Sequence, residues 1–214
     1  MMNKLTVVFF ALFSFSCGTT ELVYIESIVP YSGAASSSGD IVVNASVDTM
    51  ADYCIDGLKD PSDATYCTLQ SVGAHYAQIK FVNNADGDND NPDYGRLKLN
   101  KYLIEFTAHE NGPALGAYEG AINLSIPPNS QSSEGEAQGG VSYEAILLDF
   151  YTKDYFNQQV VAVDYTGPQV PMRYSAKYTF SGASDLEIKG SVDFLLGNFD
   201  NCPEGTTYTS ACPE

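Results

Sequence analysis

The chain has 214 residues, no tryptophan, fifteen tyrosines and a formal net charge of −17 from 27 acidic and 10 basic side chains. A surface that acidic repels nucleic acid and anionic headgroups, which excludes both as direct partners of the folded part. Lysine and arginine are scarce, and the plentiful Tyr, Ser, Gly, Asn and Thr suit strands and turns better than solvent-facing helices.

Met1 to Lys4 forms a short basic n-region, and Leu5 to Phe15 is uncharged and mostly apolar. That length suits a signal-peptide h-region and is too short to cross a bilayer as a helix. Ser14-Phe15-Ser16-Cys17-Gly18 follows directly. This stretch resembles the end of a bacterial lipoprotein signal peptide, in which the cysteine is acylated and the chain is cut just before it. Small Ser16 fits the family pattern, whereas Ser14 and Phe15 differ from its usual aliphatic-then-small pair. The resemblance implies a signal peptide over residues 1–16, lipid on Cys17 and a mature chain in the bacterial cell envelope, facing outside the cytoplasm. Two or three acyl chains hold stably, since each buried methylene contributes about 0.8 kcal/mol. An ordinary secreted protein cut near Cys17, or an incidental buried thiol there, are the competing readings.

Residues 17–39 read as the lipidated N-terminus and a flexible tether, rich in Ser, Gly and Ala. Within them Leu22–Val29 is either a first strand or part of the stalk. From Asp40 the period is two. Strands are predicted over Ile41–Val47, Ala74–Asn83 and Leu97–Ala108. In the last, Tyr102, Ile104, Phe106 and Ala108 share one face while Leu97 and Leu99 keep the other parity, which predicts a bulge near Asn100. Ala121–Ile126 follows, with Ile122, Leu124 and Ile126 inward, and then a polar loop over Ser130–Gly140. Val141–Thr152 is predicted to turn Ile146, Leu148 and Phe150 to one side, and Lys153–Val160 is a short helix or a continuation of that strand. Met172–Phe180 and Leu186–Leu196 alternate cleanly and should pair as neighbours. Such a series predicts one all-β domain over residues 40–214, an immunoglobulin- or fibronectin-like Greek-key sandwich, with a jelly roll as the alternative.

Lipid on Cys17 leaves four cysteines, an even set for an oxidising compartment. Cys54–Cys67 and Cys202–Cys212 are the simplest local pairs, the second closing the C-terminal tail. Each would be worth about 3 kcal/mol in the chain-entropy account. No Cys-x-x-Cys is present, and His75 and His109 stand at no ligand spacing from a cysteine, so zinc is disfavoured.

No nucleophile elbow, zinc-protease helix, phosphate-binding glycine loop or haem-attachment motif occurs. His75 and His109 lack partners for catalysis in the sequence and read as structural. Asp86, Asp88 and Asp90 have the alternate spacing that converges on one hard cation, with Asp93 as a further ligand. The run resembles the first half of an EF-hand-type or dockerin-type calcium loop, although Asn91 stands where glycine is expected and Leu97 where a bidentate glutamate is. A solvated turn between two strands is the competing reading. Tyr151, Tyr155 and Tyr165 fall in the less regular sequence and are candidates for stacking on sugar. The expectation is a lipid-anchored, non-enzymatic interaction or structural module of the envelope, needing no cofactor, with calcium as the one candidate ion. Its partners would be the membrane, through Cys17, and an envelope protein or polysaccharide. A carbohydrate-binding or sugar-processing lipoprotein is the alternative.

Overall fold

Alternation of apolar and polar residues from Met172 to Phe180 creates one wholly buried face, and the strand they form lies inside a five-stranded sheet. The computed structural model describes residues 23–32, 45–50, 52–56, 67–70, 72–85, 95–128, 130–131, 137–138, 140–162, 165–167, 170–183, 186–199 and 206–209. In chain order these give β1 (Val23–Ser32), β2 (Ser46–Asp48), β3 (Asp52–Asp56), β4 (Cys67–Gln70), β5 (His75–Asn83), β6 (Leu97–Ala108) and β7 (Tyr118–Ile126). Then come β8 (Ser130–Gln131), β9 (Ala137–Gln138), β10 (Gly140–Leu148), α1 (Phe150–Val160), β11 (Met172–Gly182), β12 (Glu187–Gly197) and β13 (Thr206–Thr209).

The architecture is an all-β sandwich. One sheet has the order β1-β5-β10 and the other β2-β12-β11-β6-β7, with β2 running parallel to β12. Ala77, Ile79 and Phe81 of β5 face Tyr102 and Ile104 of β6 and the buried row of β11 across one core. Phe81 meets Phe180 edge-on with ring centroids 4.9 Å apart, an arrangement worth about 0.5–1.5 kcal/mol beyond its buried area. Tyr178 is fully buried and donates to the Ile146 carbonyl at 3.2 Å, so its polar end is satisfied inside the sandwich. At the edge, Gly190 lets β1 approach β12. A Cβ there would stand 2.9 Å from the Ile25 Cδ1 and 3.0 Å from that of Ile28.

The expected bulge is present. Against β11 the partners jump from Lys101 to Leu99, so Asn100 is the extra residue there, whereas on the other flank Asn100 stands against two residues of β7, Ile122 and Asn123. Leu99, Tyr102 and Ile104 are buried in consequence.

Several expectations need correction. The 17–39 segment is not tether throughout, because Val23–Ser32 pairs along its length with β5. In β10 the buried residues are Ala145, Leu147 and Leu148, not the row of Ile146, Leu148 and Phe150. The ladder shifts between Ile146 and Leu148 and ends there, and Phe150 begins the helix, half exposed. The polar loop carries the small β8–β9 ladder. Of Ile41–Val47, only the last two residues, Ser46 and Val47, belong to a strand among the described residues.

A third sheet, β13-β3-β4, carries two cysteines, both disulfide-bonded. The ladder does not suit the expected Cys54–Cys67 bridge. Cys54 lies opposite Thr68 and Cys67 opposite Ile55, so the two side chains leave the sheet on opposite faces. Cys202 and Cys212 lie outside the described residues.

Candidate functional site: a tyrosine-lined groove beside the helix

Asp149 ends β10 and starts α1. Its backbone is extended, and its carboxylate accepts from the Thr152 amide at 2.7 Å, satisfying one of the otherwise unpaired N–H groups of the first turn. The helix buries Phe156 and, unusually, Lys153. Phe156 meets Tyr174 of β11 edge-on, centroids 6.1 Å apart. Lys153 reaches into the interior and donates to the Gly73 carbonyl at 2.5 Å and to His75 Nδ1 at 3.1 Å. Asn157 adds a bond to the Thr49 carbonyl at 2.5 Å. With that face committed, Tyr151 and Tyr155, one turn apart, are left outward at 80% and 44% exposure.

Opposite them runs the 109–117 connection between β6 and β7. It is held at three points. The His109 amide donates to the Arg173 carbonyl at 2.9 Å, Leu115 is buried, and the Tyr174 hydroxyl donates to the Pro113 carbonyl at 2.8 Å. Gly112 allows a close approach here, since a Cβ would come within 2.8 Å of the Tyr174 hydroxyl and 2.9 Å of the Met172 sulfur and push them aside.

Between these walls lie two adjoining hollows. One, of about 510 Å³, is bounded by Asn111, Gln159, Thr166 and Tyr165. The other, of about 400 Å³, is bounded by Gly116, Thr152 and Tyr151. Tyr155 and Ala114 border both, so the two hollows meet at these residues. No Lys, Arg, Asp or Glu is among the described lining residues. Tyr165 is half-buried and donates to the Met172 sulfur at 3.6 Å. Desolvation, helped by the Glu110 carboxylate, holds its phenol above the usual range, so it stays a neutral donor and acceptor at ordinary pH.

Both histidines have partners, though neither is set for catalysis. His75 is buried beside Lys153. Burial first, and the Lys153 charge second, lower its pKa to about 4, so it is neutral and accepts the Lys153 bond at Nδ1. Lys153 itself is lowered to about 8 by burial, opposed by the Asp48 carboxylate. At 1% exposure its amine cannot meet a substrate, and it acts as a bolt between α1 and β5. His109 Nε2 lies 2.6 Å from Ser175 Oγ and 3.5 Å from Asp193 Oδ1 on the outer face. A catalytic triad would need the carboxylate on the other ring nitrogen. Here the Ser175 hydroxyl donates to Asp193 at 2.5 Å, Arg173 also pairs with Asp193, and Nε2 is the group that donates to Ser175. This is an exposed polar ladder.

Of the residues singled out in the sequence, Tyr151, Tyr155 and Tyr165 converge on one groove. Cys17 and the Asp86, Asp88, Asp90 and Asp93 run lie outside the described residues, among which no group of metal-binding side chains occurs. Sequence reasoning missed the 109–117 wall, Gln159 and Thr166. The one available signal was Asn-Gly-Pro at 111–113, which marks a turn but not its neighbours. No protein-family model, curated protein or solved structure matches this chain.

Proposed function

We propose that this chain is a lipid-anchored module of the bacterial cell envelope, facing outside the cytoplasm, that binds an envelope partner in the groove between α1 and the 109–117 wall. The observation that carries the reading is the outward pair Tyr151 and Tyr155, standing over two adjoining hollows whose walls are fixed to the core through Tyr174. Rigid aromatic side chains that border a concave surface are the usual anchors of recognition, because they lose little conformational entropy on binding. The address rests on the apolar h-region and the small-residue-Cys sequence ending at Cys17. The Greek-key, immunoglobulin-like form of the sandwich belongs to the same reading, supported by the chain changing sheet between β5 and β6 and again between β7 and β10.

Three substitutions test the proposal in cells. Cys17→Ser should move the protein from the membrane fraction to the soluble one. A photo-crosslinking residue in place of Tyr151 should form an adduct with an envelope component, and the adduct should be lost when Gly112→Ala disturbs the opposite wall. Membrane retention of Cys17→Ser would refute the anchor, and no adduct at Tyr151 would refute the groove.

A further inference from the structure

We infer that the groove takes an uncharged saccharide, with a sugar ring stacked on Tyr155 and its hydroxyls meeting Gln159, Asn111 and Thr166. The inference rests on the groove being the binding surface and goes on to name the ligand. Three observations lead to it.

Charge comes first. The chain carries −17, yet neither hollow has an acidic or basic side chain among its described lining residues. A site for a cation would place carboxylates there, and one for a phosphate or an acidic glycan would place Lys or Arg. A lining of amides, hydroxyls and rings favours a neutral ligand.

The second observation is the mixture of surfaces. Tyr155 borders a hollow with apolar walls on one side, where Ala114, Gly116 and Tyr151 stand. On the other side the exposed Asn111, Gln159 and Thr166 present donors and acceptors together. A pyranose has this same division, with C–H groups on its faces and hydroxyls around its rim. A ring flanked by amides can meet both at once. A docked protein segment would call for a broader apolar centre with a charged rim.

Third, the walls are set before any ligand arrives. Tyr155 sits on a capped helix fixed by Phe156 and Lys153, and Asn111 sits beside Gly112 and Pro113, which Tyr174 holds. Preorganisation matters most for a weakly held, strongly hydrated ligand such as sugar, because little ordering cost remains. Two adjoining hollows that share Tyr155 suit consecutive units of a chain better than a lone monosaccharide.

The test is affinity electrophoresis of the full mature chain in detergent, through gels containing a soluble neutral polysaccharide: a β-glucan, an α-glucan, a mannan or a xylan. Polygalacturonate serves as the acidic comparison. Retardation by at least one neutral polymer is expected. Tyr155→Ala should weaken it about tenfold or more, as loss of a central aromatic anchor does, and Gln159→Ala by a smaller factor. Tyr155→Phe should retain most of it, because the stacking face remains. Tyr76→Ala, on the outer face of the other sheet, should leave it unchanged. Far-UV circular dichroism and melting of each variant separate loss of binding from loss of fold.

Lack of retardation by any of the four neutral polymers overturns the inference, as does retention equal in Tyr155→Ala and wild type, or retention by polygalacturonate alone. A protein adduct captured at Tyr151 with no retardation in the gels would also overturn it, while leaving the groove as the binding surface. Loss of both the adduct and the retardation would remove the groove reading as well.

Discussion

Tyr174 joins both walls of the groove: its ring lies edge-on to Phe156 of α1, and its hydroxyl donates to the carbonyl of Pro113 at 2.8 Å. Tyr174→Phe keeps the first contact and removes the second. The expected cost is about 1 kcal/mol of stability, the net worth of one such bond, with faster amide exchange confined to residues 109–117. Gly112→Ala pushes against the same hydroxyl and should cost about 1–3 kcal/mol, as overpacking does. Urea unfolding measures both. Uniformly faster exchange across both sheets in Tyr174→Phe would show that the hydroxyl is not a local tie.

The buried pair of Lys153 and His75 gives stability a pH dependence in two windows. His75 titrates near 6.5 when unfolded and at about 4 when folded, so between those values the unfolded chain holds more protons and stability falls with acid. Lys153 titrates near 10.5 unfolded and at about 8 folded, so by the same sign stability rises with pH above 8. The rise ends near pH 10, where unfolded tyrosines ionise while buried Tyr102, Tyr174 and Tyr178 resist, an effect of opposite sign. Lys153→Met should flatten the 8–10 window and shrink the acid one, since the Lys153 charge is part of what depresses His75. Denaturation midpoints from pH 4 to 10 test this, and an unchanged alkaline slope in Lys153→Met would contradict it.

The third sheet predicts a disulfide pattern that is not local. Cys54 and Cys67 point to opposite faces of adjacent strands, and β13, which pairs with β3, lies between Cys202 and Cys212 in the sequence. We expect one bridge from Cys54 and one from Cys67 to these two C-terminal cysteines. Each would close a far longer loop than a local bridge, worth about 4–5 kcal/mol in the chain-entropy account. Non-reducing peptide mapping should recover both C-terminal cysteines linked to the 54–67 region. Recovery of Cys202 joined to Cys212 would contradict the pattern.

Where a strand has one buried face, its sequence was a sufficient guide. Leu97–Ala108 is read to the residue, with its bulge at Asn100 against β11, because a parity slip in an apolar row calls for one extra residue in the ladder. Met172 to Phe180 is equally plain. Reading by parity failed at β10, where a shift at Ile146 turns Leu147 and Leu148 both inward. Nearness in sequence, the guide to the Cys54–Cys67 pair, said nothing about the opposite faces on which those two side chains emerge. Helix α1 was only half legible. Its buried side is marked by Phe156 and a lysine, and no apolar period reveals a buried Lys153 whose partners, Gly73 and His75, are some eighty residues away in sequence. Tyr151, Tyr155 and Tyr165 stood out because they break the strand pattern, whereas the opposing wall is brought to them by Tyr174, a contact between distant segments that no local motif encodes.

Amide hydrogen exchange, compared between the protein in its own membranes and the same protein purified in detergent, tests the central claim most directly. If the groove is the binding surface, peptides covering residues 109–117 and 150–162 should exchange more slowly in the native membrane, and the outer face of β1 and β5 should not change. Protection on that outer face instead, or no difference anywhere, would contradict the account.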